Sequence, residues 1–377
     1  MTAPAAFRVR EFSLPLRSPL GTATGELSSR RVAVVSLVAD ETEADGPANA
    51  GEAGGGAVSG VGEAAPLPPW TEPFGECRDA LAAVRDAVGR GDDVDLDALP
   101  PAARHAVTLA DADAAAKRGG VPLAATVASR AALDGDPAES VPVNATVGDG
   151  AVAETVAAAE SAVDAGHGCL KCKVGARAVH ADVERLRAVR DAVGDDVALR
   201  ADANGAWSRE QAERAVDALA DLDFEYVEQP VPAGDHDALA ALRGRGVDVA
   251  VDETVNAGGA WPEPLGEYAD VAVLKPMAQG GLGATASLAR HLDGRGVDAV
   301  VTTTVDAAVA RTGAVHLAAA LDGCLDAGFA HGLATGGMLA SDVAADPAPV
   351  EHGRIAVPDG PGLAGGAFDD VVTGRKN

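Results

Sequence analysis

From Val141 onward the chain repeats one pattern, a short apolar stretch followed by a longer amphipathic one. The strand-like stretches are VPVNATV, CLKCKV, VALRADAN, FEYVEQP, VDVAVDET, DVAVLKPM, DAVVTTTV and FAHGLA. Helical stretches such as HADVERLRAVRDAV (180–193), REQAERAVDALADL (209–222) and GATASLARHL (283–292) separate them. Strands that alternate with helices pair in parallel through right-handed crossovers, and eight such units in about 200 residues predict a closed barrel. An open doubly wound sheet fits less well, because no G-x-G-x-x-G opens a helix after the first strand. The expected fold is α/β, a (β/α)7β-type TIM barrel over 131–345.

At 377 residues the chain exceeds the roughly 250–300 at which one core stops growing, so a second domain is expected. Residues 7–17 and 31–39 read as strands joined by SPLGTATGELSS. A third strand, AVSGVGE, begins at Ala57, and a helical pattern runs from Pro73 to about Arg118. Strands followed by helices predict an N-terminal α+β capping domain over 1–130. Its acidic, glycine-rich insertion at 41–56, ETEADGPANAGEAGGG, cannot bury a core and reads as a mobile extension. The Pro/Gly-rich tail, 346–377, holds one strand-like stretch (RIAVP) and is expected to pack back on the capping domain.

The chain carries 30 Lys and Arg against 57 Asp and Glu, a net charge of −27. That excludes nucleic acid as the expected partner, since phosphate contacts need clustered cations. No run reaches the ~18–20 apolar residues of a membrane span, and Arg8, Glu11 and Arg17 interrupt any signal-like segment. A cytoplasmic location is expected. Acid spread along the whole chain, with Arg chosen over Lys, suits concentrated salt, where the Debye length falls to about 3 Å at 1 M. Cys169 and Cys172 form a C-x-x-C, but no second pair stands at zinc spacing. In a strand the two face opposite sides, so Cys77, Cys169, Cys172 and Cys324 are read as reduced thiols.

Only five of the 30 basic residues are lysine: Lys117, Lys171, Lys173, Lys275 and Lys376. Lysine, unlike arginine, can surrender its proton near neutral pH when its pKa is lowered. Three of the five sit in strand-like surroundings, and catalytic side chains of a barrel project from strand carboxyl ends. Lys171 and Lys173, two apart, share the inward face of the second strand. The third strand ends in Asp202 and Asn204, the fourth in Glu228, the fifth in Asp252 with Glu253 beside it, and the sixth in Lys275. Carboxylates from three neighbouring strands cannot be buried unpaired. A hard divalent cation satisfies them, so Asp202, Glu228 and Asp252 are candidate ligands of Mg²⁺, with Mn²⁺ as the alternative ion. Lys173 and Lys275 would flank it from opposite walls, where burial and a dication lower an amine pKa toward that of a useful base. Such a site removes a proton α to a carboxylate and stabilises the enediolate, so a small-molecule carboxylate is the expected partner.

The series LKCKVG, RADANGAW, YVEQP, VDET and VLKP resembles the enolase superfamily, specifically the muconate-lactonising subgroup with its paired Lys-x-Lys. Within that subgroup, VGEAAPLPPW (61–70), RHAVTLADADAA (104–115), TTTVDAAVARTGAVHLAAAL (302–321) and HGLATGGML (331–339) are similar to the o-succinylbenzoate synthases of menaquinone biosynthesis. The resemblance implies a Mg²⁺-dependent syn dehydration of 2-succinyl-6-hydroxy-2,4-cyclohexadiene-1-carboxylate to 2-succinylbenzoate. It implies Lys173 as the base, Lys275 as the cation facing the enediolate, and Lys171 tuning Lys173. It further implies Asn204 and Glu253 in support, a site-closing loop at Ser18 to Gly25, and Thr303 and Gly332 as contacts of the succinyl carboxylate. A homo-oligomer is compatible with it. The alternative within the subgroup is an N-succinylamino acid racemase, with the two lysines as opposed bases. A binding protein without catalysis on the same scaffold is a further alternative. Two departures stand out: Asp306 and Ala310 where many relatives have Glu and Gly, and no D-x-D after the eighth strand, which weighs against a dipeptide epimerase.

Overall fold

The computed structural model describes residues 6–22, 25–38, 58–256, 264–325 and 328–373. The acidic insertion at 41–56 lies outside them. The chain opens with an antiparallel meander of β1 (Ala6–Thr22), β2 (Gly25–Val38) and β3 (Val58–Ala64), in that order across the sheet. Three helices follow: α1 (Phe74–Arg90), α2 (Pro101–Gly119) and α3 (Leu123–Arg130). Helix α2 lies directly on β3. A Cβ on Gly60 would stand 2.0 Å from Ala110 O and one on Gly62 2.0 Å from Ala106 O, so the V-S-G-V-G spacing is what lets an alanine-rich helix approach the strand backbone. The start of α2 has Pro at its first position, and Glu72 accepts hydrogen bonds from Ala102 N and Ala103 N (3.0 Å each).

The SPLGTATGELSS stretch does not act as a wide turn. The β1–β2 ladder slips register between Pro15 and Leu20 and then resumes, pairing Leu20 with Leu27 and Gly21 with Glu26. Ser18–Thr22, predicted to be a loop, therefore lies within β1, and residues 23–24 fall outside the described set.

The second part of the chain alternates strands and helices. Its elements are β4 (Ser140–Pro142), β5 (Ala145–Val147), α4 (Val152–Asp164), β6 (Cys169–Lys173), α5 (Val179–Val193), β7 (Ala198–Asp202), α6 (Arg209–Ala220) and β8 (Phe224–Glu228). They continue with α7 (His236–Leu242), β9 (Asp248–Val251), α8 (Glu253–Asn256), β10 (Val271–Leu274), α9 (Pro276–Gln279), α10 (Leu282–Asp293), β11 (Asp298–Val301) and α11 (Ala308–Cys324). Strands β5 to β11 form one parallel seven-stranded sheet in chain order. The predicted eighth strand, FAHGLA, contributes single bridges rather than a ladder. His331 pairs with Val143 and Gly332 with Thr302, so this segment touches both edges and closes the barrel. Gly332 is required there, because a Cβ would meet Thr302 Oγ1 at 2.5 Å.

VPVNATV, read as one strand, is two. Ser140–Pro142 pairs antiparallel with β13 (Arg354–Ala356), itself paired with β12 (Val350–Glu351), while Ala145–Val147 enters the barrel. The tail thus places its strand on the barrel side. Its final helix, α12 (Asp369–Thr373), reaches the N-terminal unit, where Lys117 Nζ bonds Asp369 Oδ1 (2.9 Å) and Arg10 Nη1 bonds Val371 O (2.7 Å). None of the described helices is long and apolar enough to cross a membrane.

The N-terminal unit docks on the carboxyl end of the barrel through an apolar cluster shared by Val35, Leu81 and Ala106 with Met277, Ala307 and Leu339. Buried polar groups register this contact. Glu63 accepts from Ala307 N (2.8 Å) and Ala310 N (2.9 Å), capping α11 from the other domain. Burial, and then the neighbouring Asp306, push Glu63 up to about 8. Asp306 is also raised by burial. It turns toward this interface, accepting from Thr304 Oγ1 (2.6 Å), with Arg30 as a nearby positive partner and the buried imidazole of His105, whose pKa burial lowers, beside it.

Candidate active site

Side chains alternate across a strand, so the odd-numbered residues of β6 and the even-numbered ones of β7 to β9 face the barrel interior. Leu170, Cys172, Leu199 and Ala201 pack outward in the main core. In the ladder, Lys173 pairs with Asp202 and Asp202 with Glu228, placing them at one level. Asp252 follows β9 and Lys275 follows β10, both at the carboxyl ends. Across the barrel mouth the order is therefore Lys173, Asp202, Glu228, Asp252, Lys275.

The three carboxylates are at most 4% exposed, and each turns onto an amine. Lys171 Nζ lies 3.0 Å from Glu228 Oε1, Glu228 Oε2 and Asp202 Oδ2. Lys173 Nζ donates to Asp202 Oδ2 (2.6 Å) and Asn204 Oδ1 (2.7 Å), and Lys275 Nζ donates to Asp252 Oδ1. Lys173 keeps 37% of its side chain exposed against 13% for Lys171 and 8% for Lys275, so its amine is the one that opens to the mouth. Asn204, at φ 44°, also donates through Nδ2 to Glu253 Oε1 (3.1 Å), linking the segment after β7 to the start of α8 across the end of β8.

Burial penalises every charge here, and the neighbours decide the outcome. Burial alone would raise Asp202, but Lys171 and Lys173 outweigh it and hold the carboxyl well below the usual range. Glu228 moves the other way, to about 7, because burial and then Asp202 dominate over Lys171. Lys171 is raised well above an ordinary lysine: burial lowers it, but Asp202 and Glu228 more than compensate.

Among the described residues no group of three or more His, Cys, Asp or Glu side chains is gathered as a ready metal cage. The donor set nonetheless fits a hard cation. It consists of carboxylate oxygens only, from three adjacent strands. Glu253 Oε2 lies buried beside them with no hydrogen-bond partner, and Glu253 is raised by burial and by Asp252. Three ammonium groups only balance the three carboxylates of the row, so a dication held there would leave a surplus of positive charge.

Several contributing residues are not apparent from the sequence pattern. Asn256 Nδ2 donates to Asp252 Oδ1 (2.8 Å) and Val273 O (2.7 Å), while its Oδ1 accepts from Lys275 N (3.1 Å), tying the acid after β9 to the lysine after the adjacent β10. Gln229, inside the E-Q-P motif, accepts from Asp252 N and Thr254 N (3.1 Å each). Arg185, paired with Asp182, donates to Lys173 O (2.6 Å). Thr303 Oγ1 meets Thr335 Oγ1 at 2.9 Å near the mouth. Both backbone polar groups of Gly332 are engaged, its N–H by Val301 O and its carbonyl by Thr302 Oγ1. The four cysteines are free, and burial pushes Cys169 and Cys172 each up to about 12, which makes them inert.

Residues 154–366 match the family described as enolase C-terminal domain-like. The chain belongs to that family. An o-succinylbenzoate synthase from Thermobifida fusca (strain YX) is 38% identical over 229 residues, covering 58% of this chain and 67% of its own length. The chain thus spans about two thirds of that relative. Among solved structures, a dipeptide epimerase from Methylococcus capsulatus complexed with Mg and the dipeptide L-Arg-D-Lys is 27% identical, covers 96% of this chain and 99% of its own, and has a TM-score of 0.78. An N-succinyl Arg/Lys racemase from Bacillus cereus ATCC 14579 is 23% identical, covers 99% and 98%, and has the same TM-score of 0.78. The enolase-superfamily barrel and its N-terminal cap are therefore the architecture of this protein.

Proposed function

We propose that the protein is an o-succinylbenzoate synthase, dehydrating 2-succinyl-6-hydroxy-2,4-cyclohexadiene-1-carboxylate to 2-succinylbenzoate. The observation that carries the proposal is the order across the mouth, with an amine at each end of a three-carboxylate row and only Lys173 opening to solvent. The Thermobifida fusca synthase supports the choice of substrate. Asp202, Glu228 and Asp252 would hold Mg²⁺, which supplies Lewis-acid charge against the substrate carboxylate.

Lys173, as the neutral amine, takes the α-proton of the ring carboxylate. Lys171 shares Asp202 Oδ2 with it, so the two amines are held side by side on one carboxylate oxygen. The electron pair left by the C–H bond forms the enediolate, whose charge Lys275 faces from the far wall. Lys173, now an ammonium, returns its proton to the β-hydroxyl on the same face. The C–O bond breaks, water leaves, and the ring becomes aromatic. Asn204, held by Glu253, accepts from Lys173 and fixes the direction of its amine.

The opposed lysines and the fold shared with a racemase favour a second reading, racemisation of N-succinylamino acids. Both are tested by one pair of assays with Mg²⁺: loss of cyclohexadiene absorbance, and α-hydrogen exchange of N-succinylamino acids in D₂O. Dehydration faster than exchange is the expected result. Exchange faster than dehydration assigns the racemase, and neither reaction at any salt concentration overturns both.

A further inference from the structure

The N-terminal cap sends one aromatic ring into this site, that of Trp70. Lys275 Nζ lies 4.2 Å from the centroid of the Trp70 ring. Lys275 is 6% exposed, and of the three donors on its ammonium Asp252 Oδ1 takes one. An aromatic face attracts a buried cation without offering an acceptor that competes for its protons. We propose that Trp70 is a positioning residue of the active site, holding the Lys275 ammonium against the barrel mouth through its indole face.

The loop that carries Trp70 is anchored for this purpose. It leaves β3 at Ala64, and its root is gripped from two elements. Arg30, 2% exposed, donates from Nη2 to Ala65 O (2.5 Å) and from Nη1 to Pro66 O (3.0 Å). Ala65 N donates to Met277 Sδ (3.5 Å), two residues beyond Lys275. The same guanidinium donates from Nε to Val305 O (3.1 Å), so the Trp70 loop and the loop after β11 share one buried clamp. Toward the tip, Trp70 N donates to Leu67 O (3.0 Å) and Leu67 N to Thr71 Oγ1 (2.8 Å), closing a turn. Cap and barrel thus fix the ring and the lysine in a common frame. Without the ring, Lys275 keeps Asp252 as its hydrogen-bond acceptor, and a four-carbon stem can carry its amine away from the developing charge.

The inference rests on the role given to Lys275 in the proposed dehydration, where its charge acts chiefly in the transition state. Removing the ring should then lower kcat and leave KM nearly unchanged. Trp70→Phe keeps an aromatic face, and Trp70→Leu keeps only apolar bulk. Trp70→Leu should lose about 30-fold in kcat with KM within about twofold, and Trp70→Phe should recover most of the loss. Equal kcat for the two variants, or a loss confined to KM, would make Trp70 a wall and overturn the proposal.

A second readout does not depend on turnover. In ¹⁵N-indole spectra, with the Trp70 signal assigned from Trp70→Phe, Lys275→Met should move that signal and Lys173→Met should leave it in place. A signal unmoved by Lys275→Met overturns the contact. If the signal moves but the wild type fails to dehydrate the cyclohexadiene, the proposed substrate fails and the contact stands.

Discussion

Two levels of the same barrel carry buried charge and handle it differently. At the mouth, Lys171, Lys173 and Lys275 face Asp202, Glu228 and Asp252 through ammonium–carboxylate contacts. One layer below, Arg200 pairs in the ladder between Lys171 and Tyr226 and is fully buried. It donates to Glu225 Oε2 (2.7 Å) and Ala330 O (2.5 Å), and its guanidinium lies 4.6 Å and 5.4 Å from the Tyr226 and Phe329 ring centroids. Around these rings, Ala250, Val271, Val273 and Val300 complete an apolar interior. A planar, permanently charged group held by an acid, a carbonyl and ring faces has nowhere to go. Point charges paired with carboxylates can be re-paired by a metal or a substrate. The lower layer is a fixed plug, and the upper one is exchangeable.

The contrast predicts opposite outcomes for the two lysine-and-arginine levels. Lys173→Ala should abolish turnover by about three orders of magnitude or more while the melting temperature stays close to that of the wild type. Near-normal turnover would place the base elsewhere. Arg200→Met should do the reverse, costing about 3 kcal/mol of stability by leaving Glu225 and the Ala330 carbonyl unpaired, with kcat of the folded protein retained. Denaturant titration and steady-state assay of the same preparation separate the two.

Exchangeability has its own test. Mg²⁺ at about 100 times its Kd should stabilise the wild type by about 2.7 kcal/mol, raising its melting temperature, and should do little for Asp202→Asn or Glu228→Gln. Equal stabilisation of all three would locate the ion outside the row.

A separate test, read against pH, concerns the buried acid outside both layers, Glu63. Its folded pKa is raised to about 8, so the folded state keeps a proton that the unfolded chain releases near 4.5. The wild type should therefore lose stability from this group as pH climbs from about 4.5 to about 8 and level off above. Glu63→Gln carries no such dependence, so its melting temperature should gain on that of the wild type between pH 5 and pH 8.5. A constant difference across that range would mean that Glu63 is ionised throughout.

The barrel was legible because its signal is local and repeated. Each inward lysine or acid sits at a strand end, and the 3.6-residue and two-residue periods alternate without interruption. What depended on distant partners was not. VPVNATV splits because Ser140–Pro142 finds Arg354–Ala356 in the tail, a pairing that no local pattern reports. FAHGLA closes the barrel through two bridges, where a full strand was expected, and its role shows in the close approach of Gly332 to Thr302. The long β1–β2 hairpin continues beyond Pro19 because a register slip between Pro15 and Leu20 absorbs it. At the site, the charged residues could be placed by spacing, but Asn256 and Trp70 could not. Asn256 reaches the row from a single helical turn, and Trp70 arrives from the cap, whose position on the barrel is a tertiary fact.

The central claim is that the three acids at the mouth hold one divalent cation between the amines of Lys173 and Lys275. Anomalous diffraction from a crystal soaked in Mn²⁺ tests it directly. A single manganese peak bonded to Asp202, Glu228 and Asp252, with both amines turned toward it, is the predicted result. A peak elsewhere, or lysines 173 and 275 pointing away from an ion at that position, would contradict it.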